Sequence, residues 1–189
     1  MAKLIEIMWS LFGCYRLALK DKNALTYFNL SEKGFWGSFT AILIALPILG
    51  IQHGLEYKLT GTDVSLFGFV GLFLGATVIA WSLYLTIVGI VTKLLKVSQK
   101  FALFVIIYNW AQLALMLAWL PVFVLTFGLM GPEATQMVGL LFIGASYVFL
   151  WYVLVRTLEI PGPVAAALTF LEFVISIIAQ QITLNILLS

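Results

Sequence analysis

Thr169, Glu172, Ser176, Gln180 and Thr183 recur at spacings of three, four, four and three residues within an otherwise apolar stretch. That spacing draws one polar stripe along a helix. The chemistry available to the stripe is that of its single ionisable member. A carboxyl group among apolar residues must be protonated, paired or hydrogen-bonded, so Glu172 reads either as a proton or cation site or as a hydrogen-bonding group that holds helices in register. Asn109 and Gln112, in another apolar stretch, carry amides that can donate to a carboxylate. They fall at a similar depth, which predicts an intramembrane polar cluster of Glu172, Asn109, Gln112, Ser176 and Gln180 and direct pairing of the two helices that bear it. A lone carboxylate makes a thin relay, and the register role is preferred on that ground.

The remaining reactive side chains are sparse. There is one histidine, His53, and one cysteine, Cys14. These give no disulfide framework, Cys/His zinc site or bis-histidine haem, so neither metal nor cofactor is expected. His53, close to Glu56, Lys58 and Asp63, reads as a solvated loop residue. Cys14 reads as a small apolar residue on the flank of a helix, with palmitoylation as the alternative. Arg156 and Glu159 read as an interfacial ion pair, and contact of Arg156 with lipid headgroups is the alternative. No Gly-rich phosphate loop, nucleophile elbow or catalytic carboxylate pair occurs in the sequence. The chain is therefore read as no enzyme, and it has no basic run suited to nucleic acid.

The elements that position these residues are set by composition. Of 189 residues, 63% are hydrophobic and 10% charged, against roughly 25% charged in soluble domains. Apolar runs fall at about residues 35–51, 64–91, 101–129, 134–155 and 164–188, each read as one crossing of a hydrocarbon core about 30 Å thick. The expected fold is all-α, a polytopic bundle of about five transmembrane helices (35–189), preceded by a cytoplasmic amphipathic helix and linker (1–34). Pro121 and Pro47 are expected to bend their helices, and Gly131-Pro132 and Pro161-Gly162-Pro163 to make tight turns. Gly71 and Gly75 form a small-xxx-small pair that predicts close helix packing, with self-association as the alternative.

In the arm, Leu4, Met8, Leu11, Phe12, Tyr15 and Leu19 share one face, opposite Lys3, Glu6, Ser10, Gly13 and Lys20. Glu6 and Arg16 interrupt its apolar region and no small-x-small cleavage site follows, so it is read as retained rather than as a cleaved signal peptide. Trp9 and Tyr15 are placed near headgroups, and Lys20 and Lys22 near anionic lipid; packing on the bundle or a partner is the alternative. Nine of the ten basic residues (Lys3, Arg16, Lys20, Lys22, Lys33, Lys93, Lys96, Lys100 and Arg156) fall on one side of the expected spans, leaving Lys58 opposite. This bias predicts a cytoplasmic N-terminus and a C-terminus in the periplasm or an organelle lumen.

Tyr15-Arg16-Leu17-Ala18-Leu19, Phe28-Asn29-Leu30-Ser31, Gly34-Phe35-Trp36, Ser38-Phe39, Tyr108-Asn109-Trp110 and the run Trp151 to Thr157 resemble the pattern of small uncharacterised alphaproteobacterial integral membrane proteins. The resemblance implies a bacterial inner membrane location. In layout that family is similar to the Yip-type five-span proteins, whose eukaryotic members bind prenylated Rab GTPases. The acidic aromatic Asp-Leu-Tyr-Gly-Pro type of motif of those members is absent, so GTPase binding does not carry over. The leading functional expectation is a non-enzymatic scaffold or accessory subunit, partnered by membrane lipids and other integral membrane subunits. The alternatives are a small proton- or cation-coupled transporter or channel using Glu172, Asn109 and Gln112, and a Yip-type tether.

Overall fold

A computed structural model describes residues 3–60, 63–129 and 132–188. Among them the chain is helical throughout, with helices α1 (Leu4–Ala18), α2 (Glu32–Ser38), α3 (Thr40–Thr60), α4 (Leu66–Leu94), α5 (Phe101–Leu129), α6 (Pro132–Leu158) and α7 (Gly162–Leu188), and no strand. Five stretches are long and apolar enough to cross a membrane: Glu32–Lys58, Leu66–Leu94, Ser98–Val124, Glu133–Leu158 and Gly162–Leu187. The protein is an all-α integral membrane bundle.

Helix stops cluster at one end of this bundle. Lys20 (φ 59°), Lys96 (φ 60°) and Glu159 (φ 51°) adopt the left-handed conformation just beyond α1, α4 and α6. After α1, the Lys20 amide donates to the Leu17 carbonyl and the Asp21 amide to that of Arg16; after α4, Lys96 and Val97 do the same to Lys93 and Thr92. Both are Schellman closures with a lysine where glycine is usual. Ser31 caps α2 by accepting from the Gly34 amide at 3.2 Å. Gly34 is required there, since a Cβ would stand 1.9 Å from the Asn29 carbonyl oxygen.

Consecutive spans do not simply stack in order. α3 packs on α4, α4 on α7, α7 on α6, α6 on α5 and α5 back on α3, while α4 and α5 share only a small contact. The result is a closed ring of five spans. α5 is the most enclosed, because α1 and α2 also pack on it, and Phe104 to Ala111 form an unbroken buried stretch. Elsewhere large apolar side chains such as Phe67, Leu94 and Leu140 face outward, as expected of a surface solvated by acyl chains.

Several expectations are corrected. α3 continues past Ile51 to Thr60, so His53 and Glu56 lie in a helix and not in a loop. Pro47 and Pro121 sit inside α3 and α5, where each removes a backbone donor. Gly71 and Gly75 do not mediate close packing: a Cβ at either would meet nothing within 4 Å. Between α4 and α5 Lys100 pairs with Glu159 across the α6–α7 turn, displacing the expected Arg156–Glu159 pair. That contact, with Lys100 hydrogen-bonding first and its charge second, holds the Glu159 carboxyl below its ordinary value. The buried Arg156 Nε has no hydrogen-bond partner among the described residues. The turn at Pro161-Gly162-Pro163 stops α6 and starts α7, whereas Gly131 lies outside the described residues.

The arm turns its large apolar face outward and packs on the bundle through small side chains. α1 buries its small residues Ser10, Gly13, Cys14 and Leu17 and exposes Leu4, Met8, Trp9, Phe12, Tyr15 and Leu19. Small side chains permit the close approach: a Cβ on Gly13 would stand 2.7 Å from the Phe28 ring. The Asn29 amide donates to Glu6 at 3.0 Å, and Trp9 stacks on Tyr27 with centroids 5.7 Å apart. Lys20 and Lys22 are exposed. Burial raises the Cys14 thiol well above its usual range, which leaves it poorly suited to acylation.

Candidate functional site

Polar groups that the ring turns inward separate into two sets. The first is a buried relay. Trp81 Nε1 donates to Asn109 Oδ1 at 3.2 Å, Asn109 Nδ2 donates to Ser38 Oγ at 2.9 Å, and Ser38 Oγ donates to the Phe35 carbonyl at 2.7 Å. Asn109 is wholly buried. It thus bolts α2, α4 and α5 together and is not the partner of Glu172. Its depth along α5 was legible, but the direction in which it faces was not.

The second set lines a cavity of about 550 Å³ between α3, α4, α5 and α7. Glu172, Ser176 and Gln180 descend one wall, with Gln112 facing them from α5, while Gln52, His53 and Glu56 come from α3. Ser176 Oγ approaches Glu172 Oε1 at 3.4 Å, and the Tyr147 ring of α6 packs edge-on against Phe173 of α7, centroids 5.3 Å apart. Gln112 and Tyr108 line the same space from α5. Helices α5 and α7 thus reach each other across a cavity; α7 packs principally on α4 and α6.

The far wall of the cavity supplies a second carboxylate. Glu56 Oε2 lies 2.8 Å from His53 Nδ1, and Gln52 Nε2 donates to Glu56 Oε1 at 3.0 Å. The His53 ring stacks on Phe73 of α4, centroids 4.4 Å apart and planes within 17°. Tyr57 closes this end by donating to the Val64 carbonyl at 2.9 Å.

The cavity has a direction. Glu56, Phe69 and Leu184 lie near the end of the bundle remote from Lys93, Lys96 and Lys100, whereas Trp81, Tyr108 and Glu172 lie near mid-bundle. From Glu172 to Thr183 the wall of α7 runs roughly 16 Å at 1.5 Å per residue. Below that level Tyr84, Phe104 and Tyr108 are buried in mutual ring contact. They form an aromatic floor toward the lysine-rich end.

Of the residues singled out from sequence, the cavity gathers Glu172, Gln112, Ser176 and Gln180, and omits Asn109. It adds Gln52, His53 and Glu56, whose recurrence at positions i, i+1 and i+4 was a usable signal that α3 continued. Among the described residues no group of three or more His, Cys, Asp or Glu could hold a metal ion. No protein family, curated protein or solved structure matches the chain.

Proposed function

We propose that the protein is a small membrane transporter or channel that moves protons or cations through this cavity. One observation carries the reading: Glu172, half-buried at mid-bundle, shares a cavity with a second acidic centre, Glu56 with His53. A single carboxylate makes a thin relay. Two acidic centres separated by hydroxyl and amide side chains, in a space that can admit water, provide successive sites for a cation or proton. The aromatic floor serves as the closed gate of this conformation. With the lysine-rich end cytoplasmic by the positive-inside rule, in a bacterial inner membrane, the cavity opens to the opposite side.

The test is flux in proteoliposomes under an imposed pH gradient and potential. Glu172→Gln removes the titratable group and keeps a hydrogen-bonding side chain, so flux should fall to background with the melting temperature retained. Absence of flux in the wild type under both gradients would overturn the reading in favour of a non-transporting accessory subunit. That second role draws on α1, whose exposed Met8, Trp9, Phe12 and Tyr15 make a face that another membrane subunit could cover.

A further inference from the structure

The cavity is far larger than a proton path needs. Its volume of about 550 Å³ falls in the range of sites that enclose small organic molecules, roughly 300 to 1,000 Å³. Its electrostatics exclude one charge class: Glu172 and Glu56 line it, and among the described residues no lysine or arginine does. An anion would meet repulsion from both acidic centres.

Its walls exclude a second class. A hard divalent ion takes six or more oxygen ligands in a tight shell, whereas among the described residues no group of three or more candidate ligands converges. Between the two carboxylates the surface is aromatic instead. Phe69 and Phe73 of α4, with Trp81 and Tyr108 deeper, line the same space. Phe69 and Phe73 pack with centroids 4.9 Å apart, and Trp81 meets Tyr108 edge-on at 6.0 Å. His53 covers one face of Phe73; the aromatic surface left beside it attracts a weakly hydrated cation.

The geometry points to a monovalent organic cation, a substituted ammonium or phosphonium ion with an apolar body, as the occupant of the cavity, its charge directed to Glu172 and its body against Phe69, Phe73 and Trp81. This rests on the cation-handling reading and names the class of cation. Glu56 draws the ion to the mouth and Glu172 holds it at the floor. Ser176 Oγ, one helical turn along α7 and 3.4 Å from Glu172 Oε1, positions the carboxyl toward the cavity.

Tetraphenylphosphonium and tetraphenylborate, alike in shape and opposite in charge, are the probes. Titrated calorimetrically against the full-length protein in detergent, the phosphonium should bind saturably and the borate should not. Glu172→Gln should weaken phosphonium binding at least tenfold, and Phe73→Ala several-fold, both with retained melting temperature. Glu56→Gln, at the mouth, provides a second charge variant should Glu172→Gln unfold, and should weaken binding several-fold. Equal binding of both probes, or phosphonium binding unchanged in the charge variants, overturns the inference. Glu172-dependent proton flux without phosphonium binding sinks this inference alone, whereas absence of both flux and binding sinks the transport reading with it.

Discussion

At the scale of single residues, the two inward-facing polar sets respond differently to substitution. Asn109 is fully buried and bonded on both sides, so Asn109→Ala leaves the Trp81 indole and the Ser38 hydroxyl to find other partners. The expected loss is about 1 to 3 kcal/mol, read as a lower melting temperature in detergent. Glu172→Leu removes the acceptor facing the Ser176 hydroxyl and should cost about 1 kcal/mol, while Glu172→Gln should cost less. Equal stability of wild type and Glu172→Leu would remove any structural role from that carboxyl. Tyr84 is the opposite case: its hydroxyl is buried and has no hydrogen-bond partner among the described residues. Tyr84→Phe should therefore leave the melting temperature unchanged or raise it. The polar stripe of α7 was legible because helical periodicity fixes which residues share a face. The partner of Asn109 was not, because matching depth on two helices says nothing of the direction each faces. His53 and Glu56 escaped because polar side chains lower hydropathy locally even where the helix runs on; a crossing that stopped at Ile51 was already short of the roughly 20 residues a bilayer requires.

At the scale of elements, the helix stops invite a test. Lys96 holds a left-handed conformation that costs an L-residue about 1 to 2 kcal/mol. Part of the gain from glycine is lost to the greater freedom of the unfolded chain. Lys96→Gly should raise stability by about 0.5 to 1 kcal/mol, seen as a higher melting temperature; a fall would mean that the lysine side chain stabilises the turn. The end of α1 is clasped by Arg16 Nε, which donates to Asp21 at 2.6 Å. The Asp21 carboxyl is held below its ordinary value first by the Asn23 amide and then by Arg16. A depressed carboxyl contributes stability above its unfolded value and loses it as pH falls through the folded one. Protection of the amides of residues 4–18, taken relative to their intrinsic exchange rates, should accordingly fall below about pH 4 and be flat near neutrality. Which side of the arm packs on protein was not readable from its pattern, since periodicity reveals an apolar face without saying what covers it. The large side chains face outward, and the close approach of Gly13 to Phe28 decides what packs inward.

At the scale of the whole molecule, the number of spans followed from composition, and their neighbours did not. Hydropathy counts crossings along the chain, while the ring is set by which faces interlock. On the proposed orientation, cysteines placed near Lys20 and Lys96 on a Cys14→Ala background should resist an impermeant thiol reagent in intact cells, and one near Lys58 should react; the reverse pattern would invert the assignment. The ring order also bears on how the chain is made. α4 shares only a small contact with α5 and finds its second principal neighbour in α7, which leaves the ribosome after the four other spans of the ring. Until then the wall bearing Phe73 and the side of α5 bearing Gln112 have no helix to close against. A nascent chain halted before Gly162 would present an open, partly polar trough to lipid, which makes arrival of α7 the step that closes the ring and makes products shortened before it natural targets for membrane quality control.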